Sequence, residues 1–174
     1  MIKHLQHLFL ISVTSILLAG CGFAPHSVDS FPPELKLAYY QSSQPYEPFE
    51  IDLRKRLKAC GVILLPSPKK SAPIINIGSN YSHSTNAPAS STQARIYNLK
   101  YTAIISITDY HHQTLLASQT VSVARDVSLL PDEVFETTSQ ISIAKQEMVQ
   151  ELSTKVLNVL AAKKTAEALQ KSRK

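Results

Sequence analysis

The 174-residue chain has no tryptophan, only four glycines and only two cysteines, and each scarcity closes off a class of function. A nucleophile elbow or a phosphate-cradling loop needs glycine where the backbone turns sharply or lies against a ligand. Beyond residue 20 only Gly22, Gly61 and Gly78 remain, and neither G-x-S-x-G nor G-x-x-x-x-G-K occurs. Metal-ligand spacing is lacking too. His26, His83, His111 and His112 fall in stretches that read as tether, loop and turn, and Asp109 is the one ligand type near the adjacent His111-His112 pair. Carboxylates are scattered over helix faces, with no sign of a glycosidase-like acid pair. These absences predict a chain that is not an enzyme and has no cofactor and no metal.

Charge of one sign is not concentrated either. The 18 Lys and Arg against 13 Asp and Glu give a modest surplus, which favours anionic partners without demanding one. No basic-aromatic groove is evident, so nucleic acid is not expected. The cluster Arg54, Lys55, Arg56 and Lys58 reads as a solvated helix face.

Long hydrophobic runs are missing except at the start. Lys3 precedes an uncharged segment from Leu8 to Gly20, too short for a hydrocarbon core that needs roughly 20 residues. A basic start, a short apolar run and the small pair Ala19-Gly20 predict a cleaved export signal over residues 1–20. Leu18-Ala19-Gly20-Cys21 resembles the bacterial lipobox, which implies that Cys21 is lipidated and becomes the first residue of the mature chain. Acyl chains on one residue anchor firmly, each buried CH₂ contributing about 0.8 kcal/mol, so the membrane would hold the protein without a spanning helix. Gly22 in place of aspartate favours, by resemblance to sorting rules, the outer membrane. Cys60 is then left without a disulfide partner in the chain and reads as a buried core thiol.

Residues 21–33 hold three prolines and no periodicity, the pattern of a lipidated tether. A single domain is expected over 34–162. Leu35, Leu37 and Tyr39 alternate as a first strand, and Phe49, Leu53, Leu57 and Cys60 form the apolar stripe of a helix that Pro48 opens and Gly61 closes. The prolines of residues 66–73 break any continuation. A second strand places Ile75, Ile77 and Tyr81 on one face, and residues 82–92 read as a polar loop. The clearest alternation runs from Tyr97 to Thr108, with Tyr97 on its apolar side. A turn at 109–113 leads to a return strand carrying Leu115, Ala117, Val121, Val123 and Val127. From Pro131 onward Ile141, Ala144, Met148, Leu152, Val156 and Val159 mark a second helix, and residues 163–174 read as a fraying basic tail. The order β-α-β-β-β-α predicts an α+β fold: a four-stranded, mainly antiparallel sheet with two helices on one face.

Several stretches in this order carry a family likeness: "CGF", "PPELKL", "QPYEPFEIDLRKRLKACGVILL", "RIYNLKYTAIISI", "ASQTVSVARDVSLLP" and "AKQEMVQELSTKVLNVL". Together they resemble the LPS-assembly lipoprotein LptE family over residues 21–162. The resemblance implies a non-enzymatic lipoprotein on the periplasmic face of the outer membrane. It would plug the LptD barrel, assist its assembly and bind lipopolysaccharide during transport to the outer leaflet. The family binds the anionic lipid through basic residues ahead of the long strand and near the approach to the last helix. Here the first cations in those regions are Arg95 and Lys145. Arg95 and Lys100 are the candidates for lipid phosphates and Arg125 comes next, because arginine offers phosphate a bidentate fork. Two other readings stay open: a structural or assembly-accessory lipoprotein elsewhere in the envelope, and a periplasmic hydrolase built on His111, His112 and Asp109.

Overall fold

The computed structural model describes residues 31–86, 95–129 and 134–171. Cys21, its flanks and the tip of the expected 82–92 loop lie outside them. The described chain forms strands β1 (Leu37–Ser42), β2 (Ile63–Leu65), β3 (Ile74–Asn86), β4 (Arg95–Thr108) and β5 (Thr114–Leu129). Its helices are α1 (Pro48–Ala59), α2 (Val134–Ala161) and α3 (Lys163–Lys171), with a 3-10 turn at Pro33–Leu35. One sheet has the order β2-β1-β3-β4-β5, parallel across β2, β1 and β3 and antiparallel across β3, β4 and β5.

Side chains of a strand alternate between two faces, and β4 shows the consequence. Leu99, Tyr101, Ala103, Ile105 and Ile107 are buried, while Lys100 and Ile104 between them are exposed. The buried side meets Phe49, Leu53 and Leu57 of α1 and Met148, Leu152, Val156 and Leu160 of α2, all within one core. Phe49 stacks at a tilt on Tyr101, with ring centroids 5.7 Å apart. Pro48 and Gly61 act as expected: the proline opens α1, and Gly61 adopts φ 81°, a conformation without cost for a residue lacking Cβ. Among the described residues no helix is long and apolar enough to cross a membrane.

The α+β class holds, but among the described residues the sheet has five strands and there are three helices. Ile63–Leu65 pairs parallel with Leu37–Tyr39 as β2. Three residues are too few to display an alternation, and the breaking prolines come only after them. Residues 163–171, expected to fray, form α3, where Thr165 and Leu169 are each 2% exposed and the Thr165 hydroxyl donates to the Val159 carbonyl at 2.6 Å. The first part of the expected loop, Ser82–Asn86, continues β3 opposite Ile96–Lys100. It has no apolar alternation, and backbone pairing alone makes it a strand.

Phase errors occur where the ladder is irregular. Leu35 lies in the 3-10 turn, and in β1 the fully buried residue is Ala38, with Leu37 and Tyr39 half-buried. In β5 the core receives Leu116 rather than Ala117, because register shifts between Ile105 and Thr108 move the alternation by one residue before Val121 and Val123. Cys60 is half-buried at the core margin, not enclosed.

Candidate functional site

The long hairpin extends past the centre of the core, and its far end brings together aromatic rings and cations. Tyr81 of β3 packs edge-on against Tyr101 at 5.6 Å between centroids and lies 6.1 Å from His83. Burial pushes the Tyr81 hydroxyl pKa up, so it stays a neutral donor. Lys145 of α2 sets its ammonium 4.7 Å from the Tyr81 ring centroid, within range of a cation–π contact. Tyr97 is half-buried at the edge of the core, as its alternation implied.

The three sequence-derived cations do not converge. Arg95 and Arg125 share the phase of the helix-covered face, but Arg125 stands opposite Leu99 and Arg95 opposite Leu129. Four residues of strand separate them, roughly 13 Å. Arg125 is committed: its Nη2 meets Glu151 Oε2 at 2.7 Å, and Glu151 Oε1 meets Lys155 Nζ at 3.2 Å. Lys155 also donates to the Ser122 carbonyl at 3.1 Å, so this network ties α2 to β5. Lys100 lies on the opposite, uncovered face, near the bond from Asn98 Nδ2 to Asp126 Oδ1 at 2.7 Å. Among the described residues Arg95 and Lys100 have no side-chain partner, and both are exposed.

Lys145, the first cation of its region in the sequence but not one of the three candidates, is the one that the fold sets on an aromatic ring. Its position, four after Ile141 and three before Met148, sets a charge on the apolar stripe of α2, and such a placement is a signal legible without coordinates. Lys145 stands on the same helix-side rim of the hairpin as Arg95, but Tyr81 pairs with Tyr101, six residues of β4 or roughly 20 Å from Arg95, so the two cations mark separate points along that rim. That arrangement suits an anion attached to an apolar body.

The uncovered face of β3, β4 and β5 has a different chemistry. Asn98, Lys100, Thr102 and Ser106 of β4 are flanked by Ser122 and Asp126 of β5, and the large apolar groups among them are Ile96 and Ile104, 41% and 50% exposed. This surface can make many hydrogen bonds to a polar wall and carries two apolar contact points. The Asp109-His111-His112 cluster is turn architecture. Asp109 Oδ1 accepts from the backbone N–H of His111 at 2.8 Å and of Gln113 at 2.7 Å, and His112 takes φ 61°. Among the described residues no group of three potential metal ligands occurs.

No family model matches the chain. It is 30% identical over 76 residues to the LPS-assembly lipoprotein LptE of Yersinia enterocolitica, a stretch of 43% of this chain and 37% of that protein. The fold is that of lipoprotein B from Nitrosomonas europaea, with a TM-score of 0.65, 18% identity and coverage of 79% of this chain and 89% of that one. A minor lipoprotein from Acinetobacter baumannii matches with a TM-score of 0.61, 17% identity and coverage of 75% and 95%. The rare lipoprotein B from Shewanella oneidensis matches at 0.60, 15% and coverage of 72% and 93%. The curated likeness and the shared fold support the resemblance to the LPS-assembly lipoprotein LptE family.

Proposed function

We propose that this chain is a non-catalytic outer-membrane lipoprotein, held at the periplasmic face by lipid on Cys21, that occupies the lumen of an LptD-type barrel and binds lipopolysaccharide as it passes. The two-sided character of the hairpin carries the reading. One face is sealed by α1 and α2, and the other, some 14 residues long in β4, stays open with hydroxyl, amide and ammonium groups and the exposed Ile104. A barrel lumen is itself polar, and such a surface is complementary to it. The 30% identical relative supplies the named role to which this geometry is fitted.

For the lipid, the helix-side rim of the hairpin, running from Arg95 past Tyr97 to Lys145 over Tyr81, is the site favoured within this reading, with the two cations meeting separate anionic groups. Lys100, on the other face, goes to the barrel contact, and Arg125 serves the tie to α2. Binding of purified lipopolysaccharide to the full chain in detergent, at two salt concentrations, tests it. The Arg95→Ala/Lys145→Ala pair is expected to weaken affinity by about tenfold or more and to flatten its salt dependence, as loss of charge-assisted contacts to phosphate requires. Unchanged affinity and unchanged salt dependence would remove the site.

A further inference from the structure

The basic cluster of α1 read from the sequence as one solvated face is divided by the structure. Arg56 Nε pairs with Asp52 Oδ2 at 2.6 Å, and Lys55 points to solvent. Arg54 and Lys58, one helical turn apart, instead line a cleft of about 380 Å³ between α1 and the ends of β1 and β2. Its volume lies toward the small end of ligand pockets, which run roughly 300–1,000 Å³. Among the described residues no carboxylate lines it.

The topology gives the place significance. β1 has two parallel neighbours, β2 on one side, reached through α1, and β3 on the other. Ligands of parallel sheets bind outside the carboxyl ends of the strands, and the cleft lies at that end of the parallel pair β1 and β2, against the helix that joins them. Arg54 is fixed at that cleft. Its Nη2 donates to the Pro45 carbonyl at 2.5 Å, its Nε to the Glu50 carbonyl at 3.4 Å, and its guanidinium carbon lies 6.0 Å from the Tyr40 ring centroid. A guanidinium has five N–H donors, so these bonds orient the fork and leave donors to spare. Lys58 is exposed and has no partner among the described residues. Glu50 does not oppose them across the cleft, because its carboxylate is turned inward to the hydroxyls of Tyr40 and Ser79.

We propose that this cleft binds a phosphate monoester on a sugar-sized group, with Arg54 and Lys58 holding the phosphate and Tyr40 and Leu64, on the α1 side of the sheet, flanking the ring. Two cations match the dianion, and arginine adds the planar fork suited to its oxygens. The site is remote from the Arg95 and Lys145 rim and does not depend on it. The ester has two possible sources, a soluble sugar phosphate or a phosphorylated glycolipid head group.

Backbone amide shifts of the ¹⁵N-labelled full chain in detergent test the assignment. Glucose 6-phosphate is expected to shift Gln41, Ser42 and residues 54–58 saturably, whereas glucose is not. Lys58→Ala, which disturbs no contact in the fold, is expected to weaken binding about tenfold, and Arg54→Lys by a similar factor. If intact lipid A moves the same amides and its dephosphorylated form does not, the head group is the source. If only the soluble ester moves them, the source is soluble, and either result upholds the site. Equal response to glucose, shifts confined to residues outside the cleft, no shifts at saturating ester, or unchanged affinity in Lys58→Ala would each overturn it.

Discussion

Glu50 shows how far a single buried residue can organise the centre of this protein. It lies in the first turn of α1 at 0% exposure, and its carboxylate accepts from the Tyr40 hydroxyl and from Ser79 Oγ. Burial, the dominant cause, pushes its pKa up against the opposing effect of those bonds and of Arg54, and burial likewise raises the Tyr40 hydroxyl. A carboxyl with a raised folded pKa keeps its proton where the unfolded chain has lost it. Its contribution is therefore complete below the unfolded value of about 4.3 and falls as pH rises through the folded one. Glu50→Gln removes that titration, so the variant is expected to gain stability relative to the parent as pH rises from 4 to 7 in urea unfolding. Glu50→Ala leaves two hydroxyls without their acceptor and is expected to cost about 1–3 kcal/mol at neutral pH. The helical stripe of Phe49, Leu53 and Leu57 was legible in the sequence, but Glu50 was not. A carboxylate beside an apolar stripe looks the same in one dimension whether it faces water or Tyr40.

At the scale of elements, α3 and the hairpin make opposite cases. Leu169 at 2% exposure fastens α3 to the core, so Leu169→Ala is expected to cost about 2–3 kcal/mol by urea unfolding, within the range for buried leucine. A value near zero would mean that the segment frays as its composition suggested. Its nine residues, rich in lysine, carry too short a stripe to declare a helix; packing against β5 and the 3-10 turn stabilises it. β4 was legible almost residue by residue because one sealed face imposes strict alternation. Ser82–Asn86 and β2 were not, since one has no apolar residue to alternate and the other has only three positions. In β5 the register shifts hid the phase of Leu116. In the candidate site, the opposite facing of Arg95 and Lys100 follows from their odd spacing along β4, whereas the cover of Lys145 over Tyr81 joins a helix to a strand distant in the chain and has no one-dimensional signal.

For the whole molecule, one question dominates: what covers the open side of a sheet that α1 and α2 seal on the other. Ile104, half-exposed at its middle, is the most diagnostic position. Ile104→Asp lies outside the core and is expected to change stability by no more than about 0.5 kcal/mol, yet to reduce co-purification of a large barrel protein from detergent-solubilised envelopes. The direct measurement is photo-crosslinking in cells from position 104. The expected result is a heat-modifiable crosslinked product containing an LptD-type barrel, formed from position 104 and not from Lys55 on the far side of α1. A face that yields no barrel product from position 104, in cells where the chain is membrane-anchored, would contradict it.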